Sequence, residues 1–236
     1  MNPIILIPTY NERENITRIV PLIFSSLPDA TVMVIDDNSP DGTGNEVETM
    51  QTTFPHLILY ARAKKAGLGS AYMDAFQKVF NEYPGADIIC TMDADLSHDP
   101  QMLPTMLEAM AECDVVIGSR YVKGGRIVGW ELWRKLLSFC GNRYCRTVTR
   151  LPIRDCSSGF ICMRKNILRQ IDFSDFDTSG YAFLMYLKYK LWQLEARIKE
   201  VPICFTNRIQ GESKLSMNII HEGILLPWKL IGKKKR

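Results

Sequence analysis

Asp93 and Asp95 stand one alanine apart at the end of an apolar run, Ile88-Ile89-Cys90-Thr91-Met92, in the stretch CTMDADLSHDP. In extended backbone, residues i and i+2 project from the same side, so the two carboxylates are expected to share a face. Like charges so close repel unless a cation satisfies both, and a hard divalent ion with oxygen ligands meets that need. A plainer role suits Asp99: with Pro100 at a first helical position, it reads as a helix cap. Capping by Asp95 is the competing reading of the pair, and it leaves Asp93 without a task.

Apolar stretches at 3–8, 31–36, 57–61, 86–92 and 114–118 must carry these residues. Each is nearly continuous in hydrophobicity, as in strands covered on both faces of a parallel sheet. Between them, Asn11-Glu12-Arg13-Glu14 reads as an N-cap with an acid at N3, opening a helix with Ile16, Ile19, Val20 and Ile23 on one face. Thr43-Gly44-Asn45-Glu46 repeats that signature, and 71–80 and 102–110 supply two more helices. The alternation predicts a doubly wound, mostly parallel α/β sheet with helices on both faces. Such sheets bind ligands beyond the carboxyl ends of their strands, where strand order reverses. There the chain places PTYNE (8–12), DDNSPDGTG (36–44) and DADLS (93–97). Asp36 and Asp37 suit ribose hydroxyls or a turn built by Asp-Asn-Ser-Pro-Asp-Gly. No G-x-G-x-x-G follows the first strand, and Gly67-Leu68-Gly69 reads as a plain turn.

The net charge of +3 gives no case for nucleic-acid binding. Seven cysteines without a C-x-x-C pair and three scattered histidines argue against structural zinc. Cys90 and Cys204 replace aliphatics inside apolar runs, as buried thiols do in a reducing compartment. PIILIP at the start lacks a basic flank and reads as a strand rather than a signal peptide. No run of 18 apolar residues offers a bilayer span. Without a linker or repeat, the chain reads as one domain, with a first half (1–118), a second half (119–215) and a basic amphipathic tail (216–236).

In order, IPTYNERENI, VIDDNSPDGTG, GLGSA, MDADLSHDP, GSRYVKGG, WRKLLSFCGN, RDCSSGF, GYAF and RIQGESKLS run from Ile7 to Ser216. The series resembles the family-2 glycosyltransferases of the GT-A fold, and within them the polyprenol (dolichol) monophosphate mannose synthases. The resemblance implies Mg²⁺ or Mn²⁺ held by Asp93 and Asp95 on the diphosphate of GDP-mannose, with Asp93, Asp95 and Arg120 as catalytic residues. It implies donor contacts from Pro8, Tyr10, Glu12, Ile35, Asp37, Ala94 and Arg120. Arg208 and Lys214 match residues that close over the diphosphate; their alternative is solvated loop charge.

Arg120, Arg134 and Ser138 are read as the acceptor side. Arg134 and Ser138 lie four apart, hence on one helical face, and an arginine fork with a hydroxyl suits a phosphate monoester. The same segment, Trp130 to Cys140, carries Trp133, Leu136 and Leu137 among cations, the pattern of a helix lying in a membrane interface. An ordinary core-facing helix is the alternative. A second such segment, 219–236, ends in Lys233-Lys234-Lys235-Arg236. Peripheral attachment at the cytoplasmic face of a membrane is therefore expected, with a small membrane-anchoring subunit as a conceivable partner.

The chain departs from the family pattern in two places. Ser97 stands where many members have Gln, and Tyr186 where G-Y-A-F-x-x-E places an acid. Three other readings stay open: a UDP-glucose-dependent glucosyltransferase acting on the same lipid, an Asp-nucleophile phosphatase, and a non-catalytic nucleotide-binding subunit. The phosphatases carry D-x-D on the first strand, whereas here it follows the fourth.

Overall fold

The computed structural model describes residues 1–174, 182–207 and 217–232, with side chains in the last segment described from 223 onward. Five strands fall where hydrophobicity places them: β1 (Pro3–Thr9), β2 (Thr31–Asp36), β3 (Leu57–Ala61), β4 (Ile88–Thr91) and β5 (Val115–Ser119). Alternate side chains of one strand enter different layers, which is why no polar residue interrupts them. Ile4 and Leu6 join the layer of Tyr72, Phe76 and Phe183, while Ile5 and Ile7 join that of Ile16, Ile19 and Leu103. Each fully buried Ile or Phe contributes about 1.5–3 kcal/mol. The helices between the strands are α1 (Arg13–Ser26), α2 (Thr43–Met50), α3 (Leu68–Glu82) and α4 (Leu103–Ala109).

Helix starts differ from expectation in a consistent way. Asn11 is not the cap of α1; it adopts φ +60°, and Glu12 holds the cap position. Thr43 lies inside α2, one residue beyond its expected cap position. Asp41 takes over both duties, accepting the backbone N–H of Arg13 at 3.1 Å and of Thr43 at 3.0 Å. Asp99 caps as expected: its side chain accepts from the Gln101 N–H in a 3-10 turn, Pro100–Met102, leading into α4.

β6 (Arg126–Val128), α5 (Leu132–Thr149), β7 (Ile161–Arg164), α6 (Lys165–Leu168), α7 (Ala182–Gln193), β8 (Ile198–Pro202), β9 (Cys204–Thr206) and α8 (Met217–Gly232) complete the described elements. The main sheet runs β3-β2-β1-β4-β7-β5-β8, with β7 antiparallel to both neighbours. An antiparallel strand begins where its parallel neighbours end. Residues 155–160 are thereby delivered to the same end of the sheet as the tips of β4 and β5. β6 and β9 form a separate parallel pair that hangs off β5, where the Ile203 N–H donates to the Ser119 carbonyl.

The C-terminal segment is not purely an interfacial strip. Leu226 and Leu230 of α8 are buried in the core layer, while Ile224, Leu225 and Trp228 are exposed. Trp228 Nε1–H donates to the Tyr144 hydroxyl, which donates to the Ile224 carbonyl, so α8 is fastened to α5. The terminal basic cluster, 233–236, lies outside the described residues. Among the described residues no helix is long and apolar enough to cross a membrane.

Candidate active site

Strand order reverses between β1 and β4, and the carboxyl ends of β2, β1, β4 and β5 border the crevice so formed. At the β2 end, Asp36 is structural: its carboxylate accepts from Thr9 Oγ1 at 3.0 Å and from the Ser39 N–H at 2.9 Å. Asp37 is paired with Arg62, whose guanidinium also holds Asp74 and Ser70. Burial opposes the Arg62 charge, but bonds and charge from Asp37 and Asp74 outweigh it, leaving its pKa raised. Lys65 Nζ sits 3.7 Å from the centroid of the Tyr10 ring. The β1–β2 mouth thus holds a guanidinium shared by two carboxylates and one ammonium resting on an aromatic ring.

Asp93 and Asp95 do not sit on strand backbone. β4 stops at Thr91, and the pair occupies a bent loop in which Leu96 takes φ +62°. Asp95 is buried and accepts from the Ser97 N–H at 3.1 Å; the Asp93 side chain is 26% exposed. The Asp93 backbone N–H donates to His98 Nδ1 at 3.0 Å, which makes His98 a neutral imidazole with its proton on Nε2. Burial pushes the His98 pKa down, outweighing the attraction of Asp93 and Asp95. The ring stacks on Phe160 at 5.0 Å and meets the edge of Phe205 at 5.6 Å. Thr206 Oγ1 donates to the Leu96 carbonyl, tying this loop to β9.

At the β5 end, Arg120 is buried and forked onto Asp155, Nε to Oδ2 at 2.7 Å and Nη2 to Oδ1 at 2.6 Å, with Ser157 Oγ at 2.6 Å. Burial works against both ions, yet their mutual attraction holds the arginine pKa above and the aspartate pKa below the ordinary value. Lys188, wholly buried on α7, donates to the carbonyls of Cys156 (2.9 Å) and Ser158 (2.5 Å), which flank the loop carrying Ser157. Burial drops its pKa to about 8 against the pull of Asp155. Asn142 completes the mount, exchanging hydrogen bonds with Ser157.

Trp130 packs edge-on to Phe205 at 5.4 Å, with Arg120 5.8 Å and Arg134 4.2 Å from its ring. The Tyr121 hydroxyl donates to Ser138 Oγ at 2.7 Å. Trp130 Nε1–H and Arg134 Nε–H are both buried without an acceptor among the described residues. Unmet buried donors are rare, and two beside one ring mark a place where an anion would be welcome.

A model described as glycosyl transferase family 2 matches residues 4–172. The chain belongs to that family. It is 39% identical to an undecaprenyl-phosphate mannosyltransferase from Micrococcus luteus over 95% of this chain and 92% of the relative. It is 37% identical to a polyprenol monophosphomannose synthase from Mycolicibacterium smegmatis over 99% and 89%. Among solved structures, a glucosyl-3-phosphoglycerate synthase from Mycobacterium tuberculosis, in complex with Mn²⁺, UDP-glucose and phosphoglyceric acid, matches with TM-score 0.66 at 15% identity (98% of this chain, 77% of that one). A mannosyltransferase from Pyrobaculum calidifontis, in complex with GDP-Man and Mn²⁺, matches with TM-score 0.63 at 16% identity (98% and 72%). The fold is GT-A.

In this family 2 transferase the expected residues gather unevenly. Pro8, Tyr10 and Glu12 sit at the β1 end, half-buried, with Glu12 accepting from Asn15 at 2.7 Å. The Ile35 side chain is fully in the core, and Ala94 is buried too, so only their backbones can meet a ligand. Arg120, Arg134 and Ser138 form one cluster through Trp130 and Tyr121. Trp130 was expected to front a membrane; instead it precedes α5 and turns inward. Arg208 and Lys214 lie outside the described residues. Tyr186, at the family's acidic position, is buried and donates to the Asp172 carbonyl at 3.1 Å. Arg62, His98, Asn142, Asp155 and Lys188 were not anticipated. Of these, His98, Asn142 and Asp155 lie in the motifs MDADLSHDP, WRKLLSFCGN and RDCSSGF, whereas Arg62 and Lys188 lie in none.

Proposed function

We propose that this chain transfers mannose from GDP-mannose to the phosphate of a polyprenyl lipid, giving a β-linked polyprenyl mannosyl phosphate and GDP. The mannosyltransferase names of its relatives support the sugar and the lipid class. The pair of orphan donors, Trp130 Nε1–H and Arg134 Nε–H, carries the acceptor assignment. Each buried, unpaired N–H costs about 1–3 kcal/mol, a cost that a phosphate oxygen accepting from it would relieve. The whole chain, residues 1–236, is read as one catalytic unit with a peripheral membrane seat.

Asp93 and Asp95 would hold a divalent ion. No group of three or more His, Cys, Asp or Glu converges among the described residues. Two carboxylates with the remaining positions left to substrate phosphates is the donor set Mg²⁺ or Mn²⁺ accepts. When bound, such an ion neutralises charge on the departing diphosphate. Arg62 fixes Asp37 beside the donor, with Pro8, Tyr10 and Glu12 along the same rim and the Ile35 and Ala94 backbones below. Arg208 and Lys214 are proposed to close over the diphosphate. Arg120, anchored by Asp155, supplies a fixed cation between donor and acceptor.

A phosphate monoester is already an anion near neutral pH, so no side chain needs to remove a proton. One acceptor oxygen bonds to C1 of mannose as the C1–O bond to the diphosphate breaks and GDP leaves with the electron pair. Attack from the opposite side inverts C1. Arg134 and Ser138 position the nucleophile, and proximity carries much of the rate. Incubation with labelled GDP-mannose, Mn²⁺ or Mg²⁺ and a short polyprenyl phosphate is expected to yield organic-extractable label, with labelled UDP-glucose as the parallel donor. Label from UDP-glucose alone would move the assignment to a glucosyltransferase; label from neither would overturn it.

A further inference from the structure

One stripe of α5 has no part in the site. Leu132, Leu136, Phe139, Arg143, Arg146 and Arg150 follow at intervals of four, three, four, three and four, which aligns them on a single face at 3.6 residues per turn. That face is turned by about 100° from the one bearing the buried Asn142, Cys145 and Thr149, each arginine following one of them by a single residue. Leu132, Leu136 and Phe139 are 83%, 62% and 49% exposed. The three arginines make no ion pair among the described residues and, with Thr147, Leu151 and Pro152, line an open cleft of about 410 Å³. From Leu132 to Arg154 the sequence holds six cations and no carboxylate.

We infer that the Arg143–Arg146–Arg150 cleft binds the phosphate of an anionic phospholipid headgroup, distinct from the acceptor phosphate beside Arg134. This rests on the membrane seat proposed above and specifies its chemistry. The stripe changes character along its length, greasy for the first two turns and cationic thereafter, over about 27 Å of helix. A surface that is apolar at one end and guanidinium-rich at the other fits a bilayer only obliquely. The Leu132 end enters the acyl boundary, and the Arg150 end stays at headgroup depth, where guanidinium forks take phosphate oxygens in pairs. Nucleic acid would satisfy the arginines and leave Leu132, Leu136 and Phe139 in water. Arg134 and Ser138 lie on another side of the same helix but within its first two turns, so the acceptor cluster is at the end of α5 that enters the acyl boundary.

The test is co-sedimentation of the full chain with vesicles of phosphatidylcholine alone or mixed with phosphatidylglycerol. The Arg143→Gln/Arg146→Gln/Arg150→Gln variant is compared with the triple Lys variant. Each cation near an anionic leaflet is worth about fivefold in partition, so the Gln variant is expected to lose roughly a hundredfold on anionic vesicles. It should keep its partition onto neutral vesicles and its kcat/KM for a short water-soluble polyprenyl phosphate. The Lys variant should fall between it and the parent. Equal binding of parent and Gln variant to anionic vesicles overturns the cleft assignment alone. A parent that binds neither vesicle overturns the membrane seat and the cleft together. Release by millimolar phosphate, but not by chloride of equal ionic strength, would reassign the cleft to a soluble phosphate ester. Stronger competition by polyribonucleotide than by phosphatidylglycerol would reassign it to nucleic acid.

Discussion

Asp93 and Asp95 divide their surroundings unequally, and that inequality is testable. Asp95 is fixed by its bond to the Ser97 N–H, whereas Asp93 keeps a quarter of its side chain in solvent. Asn at either position removes a hard anionic ligand without changing shape, so transfer should fall to background while Tm stays near the parent value. Chelation of the parent should reproduce the loss, and added Mn²⁺ should restore only the parent; full turnover in excess chelator would remove the metal role. The orphan donors make a second prediction. Arg134→Ala should raise KM for the lipid phosphate roughly ten- to a hundredfold, the worth of a charge-assisted contact of about 1.5–3 kcal/mol, and leave KM for GDP-mannose unchanged. Trp130→Phe should also weaken acceptor binding yet cost the free enzyme little stability, because an unpaired N–H disappears. A large drop in Tm with unchanged acceptor KM would mean that the indole serves packing alone.

At the scale of elements, the loop 155–158 is mounted on α7 by a buried lysine. Lys188 titrates near 8 in the folded chain against 10.5 for the ordinary side chain. Between those values the unfolded chain holds a proton that the folded chain lacks, so stability gains with rising pH across that window. Neutral Lys188 can still donate to Cys156 and Ser158, and the mount survives deprotonation. The difference in unfolding free energy between parent and Lys188→Met should therefore grow from pH 8 to 10; a flat difference would mean that the lysine titrates normally.

What was legible in the sequence follows the same division. β1, β2, β4 and β5 could be read because strands buried on both faces keep polar residues to the ends of their runs, and the edge strand β3 because LILYA is apolar throughout. β8 could not: IKEVP lies at the end of the sheet order, and its polar residues hide it. The helix starts shifted because Asp41 takes the Arg13 amide that Asn11 would have capped and also holds the amide of Thr43 itself, contacts that local spacing does not reveal. Arg134 and Ser138 were legible from helical spacing. Arg62 and Lys188 were not, since their roles exist only once distant chain segments meet.

For the whole molecule, α8 is both core and surface. Removing residues 219–236 would take Leu226 and Leu230 out of the core, so truncation cannot separate anchoring from folding. Leu136→Gln with Leu225→Gln avoids this, because both side chains are more than half exposed. The double variant should sediment less with neutral vesicles and shift Tm little, surface changes being worth under about 0.5 kcal/mol each. Undiminished sedimentation would show that these side chains do not meet lipid.

The antiparallel insertion of β7 also sets an order on biogenesis. β5 has two partners, β7 and β8, and both are translated after it, while β4 waits for its second partner until residues 161–164 emerge. During synthesis a four-stranded β3-β2-β1-β4 sheet can assemble first, leaving Ile88–Thr91 as a bare, mostly apolar rim and β5 without a seat. Such a rim is a template for pairing between nascent chains. Ribosome-stalled chains ending shortly before Ile161 should therefore recruit chaperones or aggregate, and those extended past Pro202 should not. In refolding, pulsed hydrogen exchange should protect amides of β1 and β2 before those of β5, because closing the far side of the sheet requires contacts across more than forty residues of chain.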